Sequence, residues 1–266
     1  MASQSKMKRI QLFEFEDFSW FPNFLRICLT NYIITVHRIL NSRSDLAGLI
    51  DKILKRSPQN QILDLCSGAG GPMPGVLETL KEEHGHENLE LTLSDLYPNT
   101  QAAKRINASG KPDVRYHEAP INASDVPDDK KGLRTMVCSL HHMSPETAKS
   151  ILKDAKDDRQ PFLAFEISDN SQPKAIWWIA IPVTFISVFF LTPFVRPMTW
   201  QQLVFTYLIP LLPFFIAWDG AVSNARTYTL ADMDILLSDL RSDDYEWETG
   251  TLKSKAKKNY LIGIPT

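Results

Sequence analysis

The sequence is short of several features that would narrow its class at once. Three cysteines, Cys28, Cys66 and Cys138, in 266 residues are too few and too scattered for a disulfide framework or a zinc site, and they fit a reducing compartment. No cluster of His, Cys and acidic residues has metal-ligand spacing, so no metal is expected. Charge of one sign is also lacking. The 29 basic and 31 acidic residues leave a formal charge of -2, which speaks against a general nucleic-acid binder. The lysine run at 253–258 reads as a solvated hairpin. The opening MASQSKMKRIQLFEFEDF has no apolar signal-peptide core, and a cytoplasmic protein is the expectation. Asn107 and Asn122 then lie in chance glycosylation sequons. Internal repeats and low-complexity tracts are missing, and 44% hydrophobic with 23% charged residues is ordinary globular composition.

What is present alternates. Apolar residues at helical spacing run from Phe24 to Leu40, and a second helix is predicted over 45–55. Short apolar runs then alternate with helical stretches: QILDL (61–65), a helix near 73–84, LELTLSD (89–95), a helix near 98–109, VRYHEA (114–119), TMVCSL (135–140), a helix over 145–155 and PFLAFEI (161–167). A helix over 230–240 follows, then strands YEWETGTLK (245–253) and NYLIGIP (259–265) joined by a short lysine-rich connection. Alternating strands and helices predict a doubly wound, mostly parallel sheet, and the short final connection predicts a reversed strand.

Two cofactor classes compete for the loop in ILDLCSGAGGP (62–72), where small residues turn a strand into a helix and let a ligand approach the backbone. A structural tight turn is the alternative. A nicotinamide dinucleotide site asks for G-x-G-x-x-G, and Met73 stands where the third glycine belongs. The same residues resemble motif I of the class I S-adenosylmethionine-dependent methyltransferases, with Asp64, Gly68 and Gly70 matching and Cys66 replacing the first glycine. The resemblance runs from about residue 60 to 168, resumes over 229–266, and implies a seven-stranded Rossmann-like sheet and S-adenosyl-L-methionine as cofactor. It further implies that Asp95, with Leu96 after it, takes the ribose hydroxyls. Asp95 as a helix cap is the other reading. Asn122 and Ala123 resemble the pair that lies against adenine, although a turn explains Asn122 as well. Ser139, in CSLHHM (138–143), would line the same cofactor edge.

That last segment ends a strand at the carboxyl edge, where such sheets bind their ligands. Many small-molecule methyltransferases resemble it in carrying a His-His pair there, and His141 and His142 are candidate bases for an acceptor proton. One of them orienting the cofactor pocket is the alternative. Glu166 and Asp219 complete the catalytic candidates. The acidic and aromatic opening FEFEDFSWFP (13–22) either covers the cofactor, its acids and rings attracting a sulfonium, or packs as an edge segment.

Residues 175–218 stand apart. Arg196 is their one charged residue, and 12 of the chain's 27 aromatics fall there. Strands on either side belong to one sheet, so the segment must leave and return on the same side of any membrane. Its first arm is interrupted by Pro182, and its second, 203–218, holds Pro210 and Pro213 and reaches about 24 Å even as ideal helix. A hairpin that dips into one leaflet or folds over the site as a lid is favoured over a full double crossing, a buried core pair or a dimer contact. After it, Asp219, Ser223, Arg226 and Tyr228 return polar groups, either to the rim of the cleft or as a helix cap with its ion pair.

The expected organisation is an N-terminal helical cover (1–57), a cofactor-binding core (58–168), an apolar helical hairpin (169–228), and a last helix with two strands of the core (229–266). The chain as a whole resembles a group of membrane-associated bacterial methyltransferases. The expected activity is in-line methyl transfer to a hydrophobic small molecule or lipid, at a membrane surface contacted through 175–218. A membrane-associated cofactor-binding protein without turnover and a nucleotide-dependent oxidoreductase are the alternatives.

Overall fold

The computed structural model describes residues 7–171, 173 and 176–266. Gln172, Lys174 and Ala175, all within the expected hairpin segment 169–228, and residues 1–6 lie outside them.

Seven strands form one sheet: β1 (Gln61–Asp64), β2 (Glu90–Leu93), β3 (Val114–Tyr116), β4 (Leu133–Val137), β5 (Phe162–Glu166), β6 (Tyr245–Lys253) and β7 (Lys257–Pro265). Their order is β3-β2-β1-β4-β5-β7-β6. β1 to β5 are mutually parallel, and β7 runs antiparallel to both β5 and β6. The three residues between β6 and β7 cannot make a crossover, so the two must pair as a hairpin. The chain direction along the sheet reverses between β1 and β4, which opens a crevice at their carboxyl ends. Gly132, leading into β4, has φ +127°, and an added Cβ would lie 2.5 Å from the Gln61 carbonyl oxygen. This turn is restricted to glycine.

Helices cover both faces. On one, α2 (Ser42–Arg56), α3 (Met73–His84) and α4 (Thr100–Asn107) pack Leu46, Ile50, Val76, Leu80 and Ala103 against Ile62, Leu91 and Leu163. On the other, α5 (Pro145–Asp157) and α9 (Leu230–Leu237) pack Ile151, Leu152, Met233 and Leu236 against Leu63, Met136 and Phe162. The starts of these helices are written locally. Asn99 accepts from Ala102 N–H ahead of α4, Ser144 accepts from Thr147 N–H with Pro145 opening α5, and Thr229 with Asp232 forms a capping box at α9.

Between β5 and α9 the chain leaves the sheet as α6 (Trp177–Leu191), a short α7 (Trp200–Leu203) that runs into a π-helical turn (Val204–Leu208), and α8 (Leu211–Arg226). α6 packs against α8. α1 (Asn23–Ile39) lies across them, with Leu25, Leu29 and Tyr32 meeting Val188, Leu212 and Ile216. Two expectations need correction. The second arm does not end at Trp218, because α8 continues to Arg226, and it is broken at Pro210, where a missing N–H stops the preceding turn. The strand expected over 135–140 ends at Val137, because Cys138 has φ 51°, outside any strand geometry.

Among the described residues no single helix is long and apolar enough to cross a membrane. One bent pair, 200–208 with 211–226 at 87°, passes on length and composition. Ile179, Val183, Ile186 and Phe190 of α6 are exposed, Phe190 by 72%, and their spacing of three to four residues puts them on one stripe.

Candidate functional site

The loop after β1 is held from below by Asp64. Its carboxylate is buried and accepts from Ser67 Oγ and from Thr135 Oγ1 of β4, each at 2.6 Å. Ser94 Oγ adds a bond to the Asp64 carbonyl at 2.9 Å. Burial pushes the Asp64 carboxyl up to about 7, against those hydroxyl bonds. Above it, Gly68, Gly70 and Gly71 have φ of 53°, 105° and 49°, and Cys66 shares the left-handed region at 57°. The residue replacing the motif's first glycine therefore holds a glycine-like backbone. Its thiol, pushed by burial to about 12, is no nucleophile. Gly68 and Gly71 have nothing within 4 Å of an added Cβ, so the outer side of the loop is open.

Asp95 follows β2 and faces this loop. One carboxylate oxygen accepts from Gly68 N–H and the other from Tyr97 N–H, both at 2.9 Å, so each retains a lone pair for a further donor. Tyr116 of β3 donates its hydroxyl to the Gly68 carbonyl at 2.9 Å. Leu96 is 41% exposed beside them. Asn122 accepts from Ser124 N–H and Oγ in a local turn, while Ala123 is buried. Ser139 is buried, and its hydroxyl has no hydrogen-bond partner.

Past β4, Leu140–His142 form a 3-10 turn that sets the two imidazoles side by side, centroids 4.3 Å apart and planes tilted by 35°. His141 Nδ1 is 2.7 Å from Glu166 Oε2 at the end of β5, and its Nε2 is 3.2 Å from Ser223 Oγ of α8. His142 Nδ1 is 3.1 Å from Asp17 Oδ1. The N-terminal segment lies across this end of the sheet. Arg9 donates to the His141 carbonyl at 2.9 Å, and buried Glu14 pairs with Arg226 of α8 at 2.8 Å. Arg226 also pairs with Asp17 at 2.7 Å. Burial opposes the charged form of His142, but Asp17 and the neighbouring Glu14 push it up to about 9. Desolvation opposes the charged form of Asp17, but His142 and Arg226 hold it well below the usual carboxylate range. Asp219 accepts from Phe15 N–H at 2.8 Å with one oxygen, while the other is buried without a partner. Burial pushes Asp219 up to about 7. A cavity of about 230 Å³ beside Gln61, Arg115 and Lys130 opens near the amino end of β1, away from this site.

No family model matches the chain, and no curated protein matches it. Among solved structures it is similar to the plantazolicin methyltransferase BpumL in complex with a monoazolic desmethylPZN analog and SAH. The two are 10% identical over 92% of this chain and 90% of that one, with a TM-score of 0.57. The fold is that of the class I methyltransferases. An O-methyltransferase family protein from Burkholderia thailandensis is 13% identical, with a TM-score of 0.46 over 86% of this chain and 57% of that one. The chain thus spans little more than half the length of the first O-methyltransferases it resembles.

On this fold the structure gathers Asp64, Cys66, Gly68, Gly70 and Asp95 at one loop pair, and His141, His142 and Glu166 at the ends of β4 and β5. Asp219 stands apart from the imidazoles by its partners. Absent from the expected site set were Glu14 and Asp17, although their run of acids beside aromatics was visible. Nor was a metal-ligand set expected. Glu14, His141 and His142 each bring a donor atom within 4.8 Å of the others, and residues so distant in sequence cannot be read as one cluster before folding.

Proposed function

We propose that this chain binds S-adenosyl-L-methionine at the Gly68–Asp95 loop pair and transfers its methyl group to a hydrophobic small molecule or lipid. The observation that carries the reading is the union of an open left-handed loop after β1 with a carboxylate after β2 that keeps free lone pairs. The partnerless Ser139 hydroxyl fits as a donor to a polar group of the cofactor, and Ala123 as an apolar wall for adenine. The cofactor brings a methyl already activated on a sulfonium, so the chain has to supply position, alignment and exclusion of water. The candidate base at the acceptor end is His141, fixed by Glu166 through Nδ1, with His142, whose charged form Asp17 and Glu14 favour, beside it and Asp219 on the adjacent α8. The acceptor class rests on the apolar segment, whose exposed stripe on α6 suits a membrane surface at the cytoplasmic face. No nucleic acid is implied.

Incubation of the purified chain with methyl-labelled S-adenosylmethionine and an extract of its own cells tests the reading. Label in the organic phase that is lost in Asp95→Ala is expected. Label confined to the aqueous or protein fraction would overturn the lipophilic acceptor. A second reading, cofactor binding without turnover, is favoured by the closure of both imidazoles under Ser223, Glu14 and Asp17. Under it, S-adenosylhomocysteine binds and no fraction is labelled. Failure to bind the cofactor at all would remove both.

A further inference from the structure

An imidazole that ligates a metal does two things: one ring nitrogen faces the ion, and the other donates to a fixed acceptor that sets tautomer and orientation. Both histidines of the pair are arranged this way. His141 Nδ1 is held by Glu166 at 2.7 Å and His142 Nδ1 by Asp17 at 3.1 Å. His142 Nε2 faces Glu14, and His141 Nε2 faces Ser223, which also donates to Glu14. His142 Nε2 lies 4.0 Å from Glu14 Oε2, and the three side chains bring one donor atom each within 4.8 Å of the others. Glu14 has an outer partner too, since Arg226 holds its Oε1 at 2.8 Å and leaves Oε2 facing the imidazoles.

With both imidazoles neutral, the state in which they bind a metal, the hydrogen bonds at the centre do not balance. Ser223 Oγ lies 3.2 Å from Glu14 Oε2 and 3.2 Å from His141 Nε2. With the Nδ1 proton of His141 given to Glu166, Nε2 presents a lone pair, as does the carboxylate. The serine has one proton for both. A cation between them would satisfy both lone pairs at once.

We propose that Glu14, His141 and His142 form a binding site for one divalent first-row transition metal ion. Two imidazoles and one carboxylate suit zinc, manganese or iron, and disfavour magnesium and calcium, which take all-oxygen shells. Metal–ligand distances of about 2.0–2.2 Å place donor atoms roughly 3–3.5 Å apart, so the 4.0 Å His142–Glu14 separation has to close by up to about 1 Å, and a pair at the 4.8 Å limit of the cluster by up to about 1.8 Å. His142, whose side chain is 24% exposed, has the room to move, whereas His141 and Glu14 are buried. Three protein ligands leave a position for water or for an oxygen of an acceptor. The metal site stands on its own geometry and does not depend on methyl transfer. If methyl transfer holds, such an ion would acidify a bound acceptor hydroxyl.

The full-length chain, stripped with a chelator, is titrated with Zn²⁺ by calorimetry and with Co²⁺ by visible absorption. One ion per chain with Kd in the micromolar range or tighter is expected, with cobalt bands of a low-coordinate site. Glu14→Gln and His142→Gln should each abolish saturable binding. Asp17→Asn should weaken it about 10- to 100-fold by freeing the His142 ring, an effect that scattered surface ligands would not show. Circular dichroism of each stripped variant checks folding. If Glu14→Gln does not fold, the more exposed His142→Gln decides. Absence of saturable binding, or unchanged affinity in a folded His142→Gln, would mean that the cluster is an ion-pair network alone and would overturn the proposal.

Discussion

Asp64 and Asp95 are both carboxylates at strand ends, and the fold gives them opposite surroundings. Asp64 is buried under the loop with its carboxyl raised from 3.8 to about 7. The unfolded chain ionises this group near its ordinary value while the folded chain keeps the proton, so the unfolded state gains stability as pH rises between those two values. The contribution of Asp64 to stability is therefore complete below that window and lost as pH climbs through about 7. Asp64→Asn should remove this fall, so that the Tm difference between variant and wild type grows in favour of the variant across the window. A constant difference over the same range would refute it. Asp95 instead keeps lone pairs open beside Gly68 N–H. Asp95→Ala should weaken S-adenosylhomocysteine roughly 10- to 100-fold by calorimetry, the loss of charge-assisted hydrogen bonds of about 1.5–3 kcal/mol, and should cost little stability. In the sequence both were cofactor-site candidates at strand ends. Neither the buried hydroxyls of Ser67 and Thr135 nor the open face of Gly68 is a local property.

At the scale of elements, the core helices and strands were legible because each carries its own periodicity and punctuation, as Ser144-Pro145 does before α5. Their ends were less so. The 135–140 run TMVCSL is mostly apolar and strand-like, but the chain turns at Cys138 to bring the imidazoles back over β5. One clamp between elements was invisible. Arg134 of β4 is 1% exposed, with its guanidinium paired to Asp154 of α5 at 2.8 Å and to Asp158 just beyond it. Arg134→Ala removes the ion-pair partner of both carboxylates, leaving Asp154 a long bond from Val126 N–H at 3.4 Å, and should destabilise by roughly 3 kcal/mol in urea unfolding. A loss under about 1 kcal/mol would show that water replaces the guanidinium fully. The apolar segment stood out by composition, but the break at Pro210 and the run of α8 to Arg226 depend on what it packs against. Trp218 meets Phe13 at 5.3 Å, and Phe15 meets Phe215 at 4.8 Å, so the N-terminal segment and α8 order each other.

The whole molecule leaves an apolar stripe uncovered on α6, with Trp20 of the N-terminal segment and Phe24 of α1 also exposed. If that surface meets lipid, Ile186→Ser with Phe190→Ser removes roughly 3 kcal/mol of apolar transfer, over a hundredfold in partition. Co-sedimentation of the double variant with phospholipid vesicles should then fall by about that factor, with Tm within about 1 °C of wild type because both side chains are exposed. Unchanged sedimentation would remove the membrane from the reading. By itself the sequence determined the alternation of strands and helices, the glycine-rich turn, the reversed final strand and the apolar segment, because hydrophobic period, turn chemistry and connection length are written within a few residues. The convergence of Glu14, Asp17, the histidine pair, Glu166, Ser223 and Arg226 was decided by the tertiary structure alone. Those residues come from the N-terminal segment, from the ends of β4 and β5 and from α8, and only the sheet order and the docking of α8 bring their charges within hydrogen-bond reach.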